Sequence, residues 1–338
     1  MINKQTPLVS IHCLAYNHKD YISQAIESFL MQKTNFQFEI VIGEDCSTDG
    51  TREIVFDYEK KYPDLIRVIT SDKNVGMNEN ALRTKIAARG KYISFCEGDD
   101  YWIDPLKLQK QVDFLEANPD YGMVHTDLHE YNTVKKTWRK NIWKNKKLFQ
   151  EGELFNSLII GRTTGIYTCT TTVRKDILSD FIDDFSKLDL AMGDSFIQLT
   201  IASKYKIGYL NHATAVRQLL ENSATQGIGY EGWIHFLDSI SKLIDYFSQK
   251  VNIDPEILAL AKKSLTLRYL EHYIRYGKKN EFNKLYATFR SKYFEPEAVL
   301  IKIASWGKYP GYFSKVLSKL LYKFNLDFKS KVHRKLRK

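Results

Sequence analysis

Apolar residues fall in short unbroken runs through the first hundred positions. "LVSIHCLA" (Leu8 to Ala15), "FEIVIGED", "IRVIT" and "KYISFC" each read as a strand buried on both faces. Between these runs the apolar spacing changes to a helical period. "YISQAIESFLMQ" places Ile22, Ala25, Ile26, Phe29 and Leu30 on one face. "TREIVFDYEKKYP" reads as a helix closed by Pro63, and a further helix runs from "SDKNVGMNEN" through Ala88 and stops at Gly90. Strand and helix alternating at short intervals predict an α/β domain, Rossmann-like, with a mostly parallel sheet flanked by helices.

In such sheets ligands bind beyond the carboxyl ends of the strands. The polar turns at 16–20, 44–50 and 97–100 all fall at such ends, so they are expected to converge on one crevice. After Pro105, "LKLQKQVDFLEANPDYG" reads as an amphipathic helix and "MVHTDLHEYN" as a strand. A strand is expected in "TTGIYTCTTTVRK" and a helix near "GDSFIQLTIASKYK". Beyond about Gly229 the pattern becomes long and helical. A soft boundary between Glu221 and Gly229 divides the chain into a domain over 1–225 and a helical C-terminal region over 226–338.

Composition narrows the function classes. No run approaches the roughly 18 apolar residues of a membrane-spanning helix. The opening "MINKQTPLVS" carries no apolar leader, so a cytoplasmic location is expected. Cys13, Cys46, Cys96 and Cys169 form no CxxC pair, and the histidines form no HExxH, so a zinc enzyme is not indicated. Of the formal net charge of +10, the segment from Tyr309 to Lys338 supplies +8, from nine Lys or Arg and one acid, Asp327. There Lys315, Lys319 and Lys323 lie along one helical stripe beside Phe313, Val316, Leu317, Leu320, Leu321 and Phe324. Such a helix suits an anionic membrane surface, at the inner face of the plasma membrane, or docks on the protein itself. No nucleic-acid module accompanies it, and no nucleic-acid partner is expected.

The stretch "YISFCEGDDYWIDP" holds the sharpest chemistry. A buried strand ends in Glu97, Gly98, Asp99 and Asp100, and acids this close repel one another and resist desolvation. They form either a solvated turn or a cation site. Mg²⁺ or Mn²⁺ takes oxygen ligands, needs only one or two carboxylates, and completes its shell with water and substrate phosphates. It would thereby neutralise charge on a diphosphate leaving group.

"PLVSIHCLAYNHKDYISQAIESFLMQ", "EIVIGEDCSTDGT", "NVGMNENALRTKIAARGKYISFCEGDDYW" and "MGDSFIQLTIASKYKIGYL" resemble, in order, the motifs of family 2 glycosyltransferases, over roughly residues 6–220. The resemblance implies a GT-A fold, a nucleotide-diphosphate-sugar donor and an inverting transfer, with a UDP-sugar the expected donor. The expected acceptor is a glycan or lipid-linked hydroxyl in cell-surface polysaccharide synthesis.

It also implies roles for particular residues. Ala15, Tyr16 and Asn17 match the loop framing the nucleotide base, and Asp45 matches the acid that contacts base or ribose. Ser47, Thr48 and Asp49 are read as caps of the following helix. Arg83 either faces the nucleotide or is a solvated surface residue. Glu97-Gly98-Asp99 matches the metal motif, with Asp99 as the ligand, Glu97 in place of the usual Asp, and Asp100 behind them on the donor side. Tyr101 and Trp102 offer a sugar-stacking surface on the acceptor side or pack in the core. Asp194 in "MGDSF" matches the general base, with a helix cap as its alternative reading and Asp189 as the fallback base.

Two departures stand out. Cys46 replaces the usual Gly, and "TAVRQLLENSAT" keeps Arg217 without the His that often follows two residues later. A fold that binds sugar nucleotides or glycans without turnover is the alternative. A nucleotidyltransferase would be expected to show a glycine-rich turn where "YNHKD" stands.

Overall fold

The computed structural model describes residues 6–143, 151–161, 165–179, 182–221 and 229–292. The basic segment 309–338 lies outside the described residues, as do residues 222–228. The chain divides into two compact units, residues 1–155 with 163–227, and residues 156–162 with 228–338.

The first unit opens with β1 (Val9–Ala15), α1 (Ile22–Leu30), β2 (Phe38–Glu44), α2 (Thr51–Lys61), β3 (Ile66–Ile69), α3 (Met77–Ala87) and β4 (Tyr92–Phe95). It continues through β5 (Tyr101–Trp102), α4 (Lys107–Ala117), β6 (Tyr121–Asn132) and β7 (Thr137–Arg139). Beyond α5 (Phe155–Ile159), which belongs to the second unit from residue 156 onward, come β8 (Thr172–Arg174), α6 (Asp176–Ser179), α7 (Ile182–Leu188), α8 (Gly193–Ala202) and β9 (Lys206–Leu219) of the first unit.

Among the described residues nine strands form one sheet, in the order β3-β2-β1-β4-β8-β6-β9-β5, with β7 paired to β6. β1, β2, β3 and β4 are mutually parallel, as the alternation of strand and helix predicts, and the long β6–β9 ladder is parallel as well. β5, β7 and β8 run antiparallel to their neighbours. The result is the expected helix-flanked, mostly parallel α/β sheet.

The apolar runs are strands because they are covered on both faces. Val9, Ile11, Cys13, Ile40, Ile42 and Tyr92 join Ile22, Ala25, Ile26 and Phe29 of α1 in one core. Two elements differ from the sequence reading. "TTGIYTCTTTVRK" keeps only Thr172–Arg174 as strand, and Thr168–Thr170 coil into a 3₁₀ turn. The Thr170 and Thr171 hydroxyls donate to the Tyr167 and Thr168 carbonyls, a local bonding pattern that competes with a strand ladder. Tyr101–Trp102, which the sequence reading assigns to no element, form a short strand against Val216 and Ala215 of β9.

The second unit contains α9 (Tyr230–Lys250), α10 (Pro255–Arg275) and α11 (Lys279–Lys292), the long helices that the C-terminal pattern predicts. Asp254 caps α10 by accepting the Glu256 N–H at 2.7 Å, with Pro255 in the first turn where its missing N–H costs nothing. Leu270, Phe282, Tyr286 and Phe289 form a small core of their own. Among the described residues no helix is long and apolar enough to cross a membrane.

Candidate active site

The turns after β1 and β2 are bonded into one rim. The Asn17 N–H donates to Ser47 Oγ at 3.1 Å, and Asn17 Oδ1 accepts the Thr48 N–H at 3.0 Å. The Lys19 N–H donates to Asp49 Oδ2 at 3.0 Å, while Asp49 Oδ1 accepts the Thr51 N–H at 2.9 Å at the start of α2. Those bonds hold the Asp49 carboxyl below its ordinary value against the opposing effect of desolvation. Asp49 therefore ties the rim to the first residue of α2, while Gly50 and not Ser47, Thr48 or Asp49 holds the capping position. Ala15 is buried at the strand end, and Tyr16 stands 45% exposed on the rim.

Asp45 is 2% exposed and its oxygens are engaged inside the protein. They accept the Val75 N–H at 2.8 Å and the Gly76 N–H at 3.0 Å, and Arg83 Nη2 lies 3.6 Å away. Arg83 also donates to the Glu44 carbonyl at 2.8 Å and to Asn80 Oδ1 at 3.0 Å. This pair fixes the 71–76 loop against the end of β2. Ser47 N–H and the Thr70 hydroxyl satisfy the fully buried Glu44 carboxylate at 2.6 and 2.8 Å. The Glu44-Asp45 pair thus shapes the second side of the crevice by holding two loops.

The acidic turn packs against the first rim through Gly98. Its N–H donates to the Leu14 carbonyl at 2.8 Å, and a Cβ there would lie 2.9 Å from both His18 Nδ1 and Ile22 Cδ1. A side chain at this position requires the His18 and Ile22 side chains to move aside. His18 Nδ1 is itself buried and accepts or donates no hydrogen bond among the described residues. Desolvation lowers its basicity, opposed by the nearby charges of Asp99 and Asp49. The sequence reading passed over His18, and only its place in the "YNHKD" turn could have drawn attention to it.

Beyond Gly98 the acids take different roles. Asp100 is buried and accepts the Gln218 N–H at 2.8 Å, with the Cys169 thiol as a second donor. Desolvation first, then the charges of Asp99 and Glu97, raise its pKa well above the ordinary carboxylate value. Glu97 is pushed up to about 7 by desolvation, then by Asp99, with a further contribution from Asp194 and relief from Arg217. The Asp99 carboxylate accepts no hydrogen bond among the described residues, and its backbone carbonyl accepts Gln218 Nε2 at 2.6 Å.

Asp194 sits in the first turn of α8, one residue inside the helix, and accepts the Ser195 N–H at 2.7 Å. It is open to solvent, yet crowded enough that desolvation raises its pKa, while Arg217 pulls the other way. Met192, not Asp194, occupies the capping position. Asp189 lies exposed in the preceding loop with a left-handed backbone, φ 45°.

Arg217 on β9 is the counter-charge to this cluster. Its guanidinium stands 4.9 Å from the Tyr167 ring centre and 3.5 Å from Glu130. The nearby Tyr167, Asp100, Cys169 and Glu130 favour its charged form against desolvation. Glu97, Asp99, Asp100, Asp194 and Arg217 therefore come together from β4, α8 and β9. Asp45 and Arg83 brace the neighbouring wall.

Trp102 does not join them. It is 1% exposed and donates its indole N–H to the Cys169 carbonyl at 2.9 Å, with the Phe29 ring at 4.9 Å. Its β5 backbone turns the large ring inward, so of its two sequence readings the structure gives the core and not the acceptor side. Tyr101, its neighbour, faces the opposite side of the sheet and is half-buried. Beneath Trp102 lies Lys107, fully buried, with Nζ 4.2 Å from the ring centre. It donates to Ser94 Oγ at 3.1 Å and Gln111 Oε1 at 2.7 Å.

Several known proteins are similar to this chain. TuaG of Bacillus subtilis, described as a putative teichuronic acid biosynthesis glycosyltransferase, is 38% identical over 109 residues, 32% of this chain and 42% of the relative. WfaP of Escherichia coli, a UDP-Glc:alpha-D-GlcNAc-diphosphoundecaprenol beta-1,3-glucosyltransferase, is 40% identical over 115 residues, again 32% of this chain and 42% of the relative. The matched part of the chain thus spans about two-fifths of the length of these curated relatives.

Two solved structures share the fold at low identity. S. aureus TarS 1-349 in complex with UDP-GlcNAc gives a TM-score of 0.52 at 17% identity, covering 84% of this chain and 92% of that one. The mannosyltransferase PcManGT from Pyrobaculum calidifontis, in complex with GDP-Man and Mn²⁺, gives 0.51 at 18%, covering 95% of this chain and 81% of that one. The family model for "Glycosyl transferase family 2" matches residues 10–181, just over half of the chain, and the protein belongs to that family.

Proposed function

We propose that the protein transfers a sugar from a nucleotide-diphosphate donor, a UDP-sugar, to a hydroxyl of a glycan or lipid-linked acceptor in cell-surface polysaccharide synthesis, with inversion at the anomeric carbon. The observation that carries this reading is the meeting of Glu97, Asp99 and Asp194 with Arg217 at the carboxyl ends of the strands. The likeness to TuaG, a putative teichuronic acid biosynthesis glycosyltransferase, and to WfaP, a glucosyltransferase acting on a diphosphoundecaprenol-linked sugar, supports the acceptor class.

A divalent cation fits the donor set. Among the described residues no group of three or more ligating side chains is preassembled. Mg²⁺ or Mn²⁺ needs only one or two carboxylates when phosphates complete the shell. Glu97 holds its proton to about 7 because Asp99 and Asp194 stand near it in a desolvated site, a condition that added positive charge relieves. Asp99, whose carboxylate is not spent on internal hydrogen bonds, is the ligand in this reading, with Glu97 beside it. The bound cation would supply charge neutralisation for the departing diphosphate.

The chain's own residues do the rest. Asp194 takes the proton of the acceptor hydroxyl as its oxygen attacks the anomeric carbon and the bond to the diphosphate breaks. Its raised pKa makes it a better base than an ordinary surface carboxylate. Arg217 presents positive charge on the diphosphate side and takes over from the His that the sequence lacks. Ala15, Tyr16, Asn17, Asp45 and Arg83 shape the nucleotide side, the buried pair by holding loops in place. Residues 309–338 supply contact with an anionic membrane at its inner face.

The test is a donor screen followed by Asp194→Asn. The variant is expected to keep UDP-sugar binding and lose transfer by about a hundredfold or more. Normal transfer by Asp194→Asn would remove Asp194 as the base, and donor binding without turnover in the unaltered protein would favour a binding protein.

A further inference from the structure

Helix α3 touches two parts of the site that the transfer must keep in register. It begins at Met77, directly after Gly76, whose N–H is accepted by Asp45. At about 3.6 residues per turn, Asn80, Arg83 and Thr84 share one face of α3, and Asn78 and Lys85 share the opposite one. The first face is anchored to the end of β2. There Asn80 Nδ2 donates to the Gly43 carbonyl at 2.8 Å, and Arg83 donates to the Glu44 carbonyl at 2.8 Å.

The opposite face meets the segment that leads into Asp194. Asn78 Nδ2 donates to the Leu190 carbonyl at 2.7 Å, across 112 positions of sequence. Leu190 is buried in the turn 189–192, which belongs to neither α7 nor α8. Two turns further along α3, the buried Lys85 places Nζ 5.5 Å from the Phe185 ring centre. Phe185 in turn lies under the start of α8, where a Cβ on Gly193 would stand 3.2 Å from its Cζ. Its ring centre is 5.5 Å from that of Phe196. Thus α3 braces the first turn of α8, which carries Asp194, against the wall formed by Asp45, Arg83 and the 71–76 loop.

Resting on the transferase reading, we propose that Asn78 is a positioning residue for the transfer, tying the 189–192 turn, and with it Asp194, to the wall on which the nucleotide sits. A general base acts only within hydrogen-bond reach of the proton it takes, and a misplacement of about 1 Å costs up to about a hundredfold in rate. Asn78 acts through the Leu190 carbonyl and touches neither donor nor acceptor. A nucleotide that orders the 71–76 loop therefore also orders the turn before the base, because the Asn78 bond joins the two.

The test measures amide hydrogen exchange at residues 190–195 of the full chain, with and without saturating UDP, in the unaltered protein, Asn78→Asp and Asn78→Leu. Both substitutions keep the size of the side chain and remove its N–H donor. In the unaltered protein UDP is expected to slow exchange at these amides by about fivefold or more. Both variants should lose that slowing while binding UDP within about twofold of the unaltered affinity. If Asn78→Leu fails to fold, Asn78→Asp decides. For UDP-glucose with water as acceptor, kcat should fall by about tenfold at unchanged KM. Slowing that survives in Asn78→Asp, no slowing in an unaltered protein that binds UDP, or a loss of UDP affinity as large as the loss of kcat overturns the proposal. Asp194→Asn should keep the slowing, so failure of the base assignment is read separately. No UDP binding by the unaltered protein removes the donor reading, and the role of Asn78 falls with it.

Discussion

The carboxylate of Asp100 accepts the backbone N–H of Gln218 at 2.8 Å, joining the acidic turn to β9 across 118 positions of sequence. One residue before Gln218 stands Arg217, so this bond sets the counter-charge beside the acids it serves. Asp100→Ala would leave the Gln218 N–H buried without its acceptor, which costs about 1–3 kcal/mol. Urea denaturation should show that loss. Donor binding should fall with it, because Arg217 loses its register to Glu97 and Asp194.

The raised pKa of Glu97 has a definite sign. Its value is about 7 in the folded protein against 4.5 for the ordinary group. Between these values the folded state binds more protons than the unfolded one, so this group makes stability fall as pH rises through the window. A cation that pairs with the ionised carboxylate reverses the trend. Melting temperatures from about pH 5 to 8 should decline in the metal-free protein, less so in Glu97→Gln, and Mn²⁺ should stabilise more at the upper end.

Lys107 gives the opposite slope. Desolvation lowers its pKa from 10.5 to about 7. Above about 7 the unfolded state binds the extra proton, so stability rises with pH from there towards 10.5. Lys107→Met should abolish this rise. Comparing urea midpoints of the two proteins at neutral and alkaline pH checks it, and equal slopes would mean that the ammonium is not desolvated as described.

Cys46 occupies a left-handed backbone position, φ 58°, which explains why the family usually has Gly there. A β-branched residue fits this backbone region less well than Cys, so Cys46→Val should lower stability. Cys46→Gly relieves that strain but gives up about 0.5–1 kcal/mol of chain entropy, leaving stability nearly unchanged. Thermal denaturation of the two variants separates them.

The first four strands were legible because each is an unbroken apolar run between amphipathic helices, a pattern that local periodicity alone reveals. The meeting of the 16–20, 44–50 and 97–100 turns followed from topology, since parallel strands present their carboxyl ends together. The rest depends on pairings that no local pattern encodes. Tyr101 and Trp102 become a strand only because β9 returns beside them from more than a hundred residues away. That pairing buries Trp102 and leaves Tyr101 on the other face. Likewise, "EDC" reads as two similar acids, yet Glu44 and Asp45 are distinguished by the loops that close on them. Lys107 lies in a segment that the sequence marks only as an amphipathic helix, and its burial is set by Ser94, Gln111 and Trp102 drawn from three segments.

The central claim is that the Glu97–Asp99 turn binds the diphosphate of a sugar nucleotide through a divalent cation. It is tested most directly by calorimetric titration of UDP into the full chain, with and without Mn²⁺, for the unaltered protein and Asp99→Ala. The account predicts that Mn²⁺ tightens UDP binding by about tenfold or more in the unaltered protein and that Asp99→Ala loses this gain while melting at a similar temperature. Equal UDP affinity with and without Mn²⁺, or a gain that survives Asp99→Ala, would contradict it.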